Sequence, residues 1–325
     1  MRVGIVGSGT MGEVHAAGWR STEAELVGCF SANREQAQRL AGEYGMRVYD
    51  DYPALLNDVD IVDICAPTYL HKEMVLGAAA ARRHVICEKP MALTVEDAQE
   101  MITACEGAGV RLFVAMVVRF FPQYRLAREL VAKGQIGRLG VMRLKRVSYL
   151  PQKALDNWYA DEARSGGMVV DLMIHDFDYA RWLGGEVERV FARLNQAADG
   201  PGQYAQVILR HKEGPMALIE GGWAYPPGVF RTALDLSGTD GLIEWSSDGQ
   251  APVRSFTLTR EGGAAAVGLP VSGLAEDPYA LELNHAYRAI VNGEPFAVTP
   301  QDALEALRIA LAAKKSIRTG KPVHL

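Results

Sequence analysis

Near the amino terminus, Gly7-Ser8-Gly9-Thr10-Met11-Gly12 follows the run Val3-Gly4-Ile5-Val6 directly and opens into a helix-like stretch at residues 13–19. Strand, glycine turn and helix in immediate succession commit the chain to a βα unit. The first glycine permits the tight turn, the second lets a ligand approach the backbone, and the third lets helix and strand pack closely. The free N–H groups that begin such a helix favour a bound anion. G-x-G-x-x-G alone is a weak signal, but in this context it points to a dinucleotide pyrophosphate site made of Gly7, Ser8, Gly9, Thr10, Met11 and Gly12.

The rest of the chain repeats this beginning and then departs from it. β-branched runs at residues 2–6, 26–30, 61–66, 84–87 and 112–117 alternate with helix-like stretches such as 34–44, where Ala37, Leu40, Ala41 and Tyr44 share one face. That alternation predicts a doubly wound parallel α/β sheet of the Rossmann type over residues 1–118. After Phe120-Phe121-Pro122 the segments lengthen and alternate in character, as in Met142–Lys145 and residues 231–236 before Ser237-Gly238-Thr239-Asp240-Gly241. Such patterning predicts an α+β second domain over residues 119–325 with a large, mostly antiparallel sheet. Helices are expected at about 168–183 and 278–291. A last helix has Thr299 as N-cap, Pro300 at its first position and Asp302 in its first turn, and ends near Gly320; it is a candidate to pack back on the first domain.

Length agrees with this division, since 325 residues correspond to about two domains and 49% hydrophobic residues suffice for two cores. A net charge of −5 without runs of like charge gives no reason to expect a nucleic-acid or membrane partner. The longest apolar run, residues 112–118, is far shorter than the roughly 20 residues of a spanning helix, and no signal-peptide pattern precedes the first strand. A cytoplasmic protein is therefore expected. Cys29, Cys65, Cys87 and Cys105 lack CxxC spacing and read as buried thiols.

About 19 residues beyond Gly12, at the end of the second strand, an NAD site usually carries an acidic residue for the ribose hydroxyls. Here the sequence is Ser31-Ala32-Asn33-Arg34. Ser31 and Arg34 suit a 2′-phosphate better, because a guanidinium pairs with phosphate in charge-assisted fashion, so NADP is expected over NAD. Arg34 also reads as an ordinary solvated residue in a first helical turn. Glu88-Lys89-Pro90 follows the fourth of the predicted strands and places a charged pair at a strand's carboxyl end, where open α/β sheets bind ligands.

Together these segments resemble a known family. Gly7-x-Gly9-x-x-Gly12, Ala66-Pro67-Thr68-x-x-His71, Glu88-Lys89-Pro90, Arg119-Phe120-x-Pro122 and Gly166-Gly167-x-x-x-Asp171-x-x-x-His175-Asp176-x-Asp178 are similar to the motifs of the glucose–fructose oxidoreductase / inositol dehydrogenase / rhizopine catabolism (Gfo/Idh/MocA) oxidoreductases. The resemblance extends through nearly the whole chain. It implies NAD(P)-dependent hydride transfer at a carbinol carbon of a sugar, cyclitol or related polyol, and a second-domain sheet that mediates homodimer or homotetramer formation. It further implies that Lys89, Asp171 and His175 are catalytic, and that Pro67, Thr68, His71, Glu88, Lys89 and Arg119 join the glycine turn, Ser31 and Arg34 around the cofactor. Ser31 departs from the Asp of many members.

The chemistry of the residues agrees. Asp171 and His175, four apart on one predicted helix, would meet on a face, where imidazole takes a hydroxyl proton and carboxylate orients it. Lys89 would stabilise charge on the reacting oxygen. Trp158 and Tyr159 are candidates for the substrate pocket wall, or for aromatic core. Several other readings stay open: a metal at Asp171, His175 and Asp178, a poor ligand set; a purely structural helix; a non-catalytic dinucleotide-sensing regulator; and a dihydrodiol- or biliverdin-type reductase. His71 reads equally as a shell residue near the cofactor or a helix-start histidine, and His15, His84, His211, His285 and His324 read as structural.

Overall fold

The computed structural model describes residues 1–151, 157–197, 202–249 and 277–325. The chain forms two compact units, Met1–Phe121 with Leu274–Leu304, and Pro122–Gly273 with Glu305–Leu325. The first unit therefore includes a late segment that a boundary at 118/119 assigns to the second domain.

In the first unit, β1 (Arg2–Val6), β2 (Glu25–Phe30), β3 (Arg47–Val48), β4 (Ile61–Ile64), β5 (His84–Glu88) and β6 (Leu112–Ala115) form a parallel sheet in the order β3-β2-β1-β4-β5-β6. Both faces are covered, so Val3, Ile5, Ile61, Val62, Ile64, Val85 and Ile86 are wholly buried and the strands read as apolar runs rather than alternating ones. The covering helices are α1 (Thr10–Trp19), α2 (Arg34–Tyr44), α3 (Tyr52–Asp58), α4 (His71–Ala80) and α5 (Val95–Ala108). Asn33 caps α2 by accepting from the Gln36 N–H at 3.0 Å, and Thr94 caps α5 in the same manner. The strand order reverses between β1 and β4, the point at which doubly wound sheets open a crevice at their carboxyl edge.

The second unit begins with α6 (Pro122–Ala132) and β7 (Leu139–Ser148). The short helices α7 (Glu162–Ser165) and α8 (Met168–Asp171) precede α9 (Ile174–Gly184). Strands β8 (Val187–Gln196), β9 (Gln203–His211), β10 (Met216–Trp223), β11 (Arg231–Gly238) and β12 (Leu242–Ser246) follow, and α10 (Pro278–Asn292), α11 (Pro300–Thr319) and β13 (Val323–His324) end the chain. The sheet order is β12-β11-β7-β10-β9-β8-β13, antiparallel except for β7 with β10. Alternation is strict in β9, where Ala205, Val207 and Leu209 are buried while Gln206, Ile208 and Arg210 face outward.

Both late helices match their sequence signals. The Asp302 N–H donates to Thr299 Oγ1 at 3.1 Å and the Thr299 N–H to Asp302 Oδ2 at 3.0 Å, a reciprocal capping box at the start of α11. α10 belongs with the first unit, packing on α1 with Trp19 and Tyr287 edge to face at 6.3 Å, whereas only the first residues of α11, up to Leu304, fall in that unit and the rest of the last helix lies in the second. The single helix expected over 168–183 is instead broken at Leu172–Met173. There the Met173 N–H reaches back to Met168 O and the Asp176 N–H to Met173 O, so the regular ladder is interrupted. The break seats Met173 over Gly221 of β10, where a Cβ would stand 2.4 Å from Met173 Cγ; packing on the sheet overrides helix propensity.

Candidate active site

The glycine turn is shaped by contacts that exclude side chains. Gly7 has φ +101°, and a Cβ there would lie 2.6 Å from the Cys65 carbonyl oxygen just past β4; one on Gly12 would lie 2.1 Å from Gly7 O. Gly9 is the N-cap of α1 and gives it no side-chain cap, so the first-turn N–H groups of this ten-residue helix point to the turn without a side-chain acceptor. That arrangement fits a dinucleotide pyrophosphate, held by Ser8 to Gly12. Ser8 is buried, and its hydroxyl donates to Ser31 Oγ at 2.9 Å, tying the turn to the end of β2. Arg34 lies exposed at the start of α2 and pairs with Asp50, whose carboxyl is held below the ordinary range by that guanidinium.

At the next strand ends, Pro67 precedes a one-turn helix in which Thr68 is buried. His71 is also buried; its Nε2 lies 2.8 Å from Ala66 O and its Nδ1 2.9 Å from Pro90 O. Burial holds its pKa below the ordinary histidine value, and a neutral ring donates to one of these carbonyls at a time. His71 thus lashes the turn after β5 to the end of β4. The Lys89–Pro90 peptide is cis.

Glu88 and His15 make a second lashing that the sequence did not single out. Glu88 Oε2 accepts the Lys89 N–H at 2.9 Å, while Glu88 Oε1 is 3.0 Å from His15 Nε2. His15 Nδ1 is 2.9 Å from Asp63 Oδ2, which also accepts from Trp19 Nε1 at 2.7 Å. His15, Asp63 and Glu88 are all buried. Arg119 is buried too, its Nη1 on the Ala297 carbonyl at 2.9 Å and near Asp302 at 3.4 Å, a connection between the short 3-10 turn at Val117–Phe120 after β6 and the start of α11.

In the second unit, Trp158 and Tyr159 stack on each other with centroids 4.0 Å apart. The loop they begin is closed by Ser165 Oγ, which donates to the Tyr159 or Asp161 carbonyl and accepts the Gly167 N–H. Lys314 of α11 donates to Gly166 O at 2.8 Å, fixing the glycine pair ahead of α8. Asp171 ends α8 and His175 lies in the first turn of α9, on either side of the break, so their four-residue spacing does not span one continuous helix. Asp176, next to His175, is wholly buried and receives Arg146 Nε at 2.7 Å and Nη2 at 3.2 Å. Asp178 is buried on the same helix.

A glycine-turn dinucleotide site on a six-stranded parallel sheet, in one chain with an α+β unit carrying an open mixed sheet, defines a two-part dinucleotide-binding protein. Residues 1–116 match the family described as "Oxidoreductase family, NAD-binding Rossmann fold", and residues 124–244 match the "GFO/IDH/MocA C-terminal domain". The chain is 32% identical to the myo-inositol 2-dehydrogenase of Thermotoga maritima, covering 100% of this chain and 98% of that protein. It is 30% identical to the 1,5-anhydro-D-fructose reductase of Ensifer adhaerens, with 100% and 98% covered. The crystal structure of a putative myo-inositol dehydrogenase from Sinorhizobium meliloti superposes with a TM-score of 0.84 at 27% identity over 100% of this chain and 99% of that one. The chain belongs to the Gfo/Idh/MocA oxidoreductase family. Among the described residues, no helix is long and apolar enough to cross a membrane.

Proposed function

We propose that this protein is an NAD(P)-dependent dehydrogenase acting on a CH–OH group of a sugar, cyclitol or related polyol. The observation that carries this reading is the placement of Lys89 at the carboxyl end of β5, on the same sheet edge as the glycine turn after β1, with only β4 between these strands. The relationship over full length to an inositol dehydrogenase supports the substrate class.

Bound nicotinamide supplies a hydride acceptor or donor. The chain's own groups do the rest: Lys89 donates a hydrogen bond to the reacting oxygen, His175 takes or returns its proton, and Asp171 orients the imidazole. Thr68, Pro67 and His71 shape the crevice edge beside the cofactor, with Glu88 and Arg119 bracing it, and the Trp158–Tyr159 stack walls the substrate. These roles are tested by a panel of inositols, aldoses and sugar acids followed by nicotinamide absorbance with both cofactors. Turnover of at least one is expected; tight dinucleotide binding with no turnover of any would favour the regulator instead.

For the cofactor, NADP(H) is the preferred form. No carboxylate stands at the end of β2, and Arg34 is free to exchange partners, since its pair with Asp50 is exposed and screened by solvent. A 2′-phosphate offers that guanidinium a stronger, bidentate acceptor. The outer face of the second unit's sheet, bearing Ile208 and Met216 among charged residues, pairs with a second copy in a dimer or tetramer. Light scattering tests this, and the mass of a single chain at micromolar concentration would contradict it. The expected compartment is the cytoplasm.

A further inference from the structure

Lys89 lies between two buried histidine bridges, Asp63···His15···Glu88 on one side and Ala66···His71···Pro90 on the other, and both anchor the turn after β5 to β4 or its end. The first bridge is ionic and reaches the backbone of Lys89 itself. Glu88 divides its carboxylate, one oxygen on His15 and the other on the Lys89 N–H. A carboxylate that accepts from both a cation and the next residue's amide has little freedom to rotate, so the peptide that aims the Lys89 side chain is held by it.

We propose that His15, backed by Asp63 and acting through Glu88, is a positioning residue for Lys89. The proposal rests on the reading of Lys89 as the group that meets the reacting oxygen. Each ring nitrogen of His15 faces a carboxylate oxygen, so both must donate and the ring is an imidazolium. Burial is the largest single influence and opposes that charge, but Asp63 and Cys65 beside the ring together outweigh it and the pKa lies well above the ordinary histidine value. The groups that face His15 are Asp63, Glu88, the Cys65 thiol, and Glu282 of α10, whose own pKa is pushed well up by burial and by the Glu88 charge. The His15 ring thus stands as the one cation between the Asp63 and Glu88 carboxylates.

A neutral ring would turn a lone pair toward one carboxylate and release it. Release of Glu88 would leave the Lys89 N–H without its acceptor. His15, Asp63 and Cys65 also bring possible metal-ligating atoms within 4.8 Å of one another. Of these, His15 and Asp63 are hydrogen-bonded directly to each other at 2.9 Å.

The test is a double-mutant cycle in kcat with His15→Gln and Lys89→Ala, alongside dinucleotide titration and thermal melts. His15→Gln should lower kcat about tenfold or more, leave KM and dinucleotide affinity within about threefold, and cost less than about twofold further in the Lys89→Ala background. An equal loss in both backgrounds would overturn the proposal. If His15→Gln does not fold, Glu88→Gln, which keeps an acceptor for the Lys89 N–H but weakens the ion bridge, should show the same background dependence, and its absence counts equally against it. If the parent turns over no polyol, the dehydrogenase reading fails on its own account. Competitive acetic anhydride labelling of the lysines then decides: Lys89 reactivity relative to the other lysines should shift by about threefold or more in His15→Gln, and an unchanged ratio would overturn the proposal.

Discussion

Arg146 of β7 and Asp176 of α9 form a buried ion pair, with Nε to Oδ2 at 2.7 Å and the guanidinium 1% exposed. The pair fixes the first turn of α9, and with it His175, to the sheet. Removing one partner leaves the other charged in a dry site, so Arg146→Met should destabilise the protein by about 3–5 kcal/mol, and Arg146→Met with Asp176→Leu should recover much of that loss. Burial raises the Asp176 pKa and Arg146 opposes the rise. A raised carboxyl favours the folded state when protonated, so the deficit of Arg146→Met should shrink as pH falls toward the carboxylate range. Denaturant melts at two pH values check this; a pH-independent deficit would contradict it.

Glu282 is wholly buried, and among the described residues neither carboxyl oxygen has a hydrogen-bond partner. Its raised pKa means that the folded protein keeps a proton the unfolded chain releases above 4.5, so its contribution declines as pH rises from there through the folded pKa. His15 acts in the same direction, its contribution complete below 6.5 and lost as pH rises through its raised folded pKa. Glu282→Gln, isosteric with the protonated acid, should therefore gain Tm over the parent at pH 8 and little at pH 5. A gain confined to acid pH would contradict the assignment.

Arg34→Ala should narrow the preference for NADP(H) over NAD(H) by about several-fold, as expected for an exposed guanidinium. Asp50→Asn should widen it by freeing the guanidinium. Fluorescence titration measures both, and equal or tighter NAD(H) binding by the parent would contradict the NADP(H) preference.

Legibility in the sequence followed the physics of each element. The helix at 34–44 and the strand at 2–6 were readable to the residue because apolar spacing and turn chemistry agree there. The break at Leu172–Met173 was not, because it answers to Gly221, distant in sequence. His15 and Glu282 look ordinary on their helices, yet Asp63 within Ile61-Val62-Asp63-Ile64 carried a signal: a carboxylate inside a fully buried strand requires a partner. His71 was readable as a special position but not in its contacts, since both of its ring nitrogens face backbone carbonyls, which no side-chain pattern reveals; Arg119 likewise reaches the Ala297 carbonyl besides Asp302.

The central claim is tested most directly by kcat for Lys89→Ala and His175→Ala on a polyol that the parent oxidises, with dinucleotide affinity measured in parallel. Each substitution should lower kcat by about 10²- to 10⁴-fold while cofactor binding stays nearly intact. Near-full turnover in both variants would contradict the mechanism, whatever the fate of the dinucleotide site.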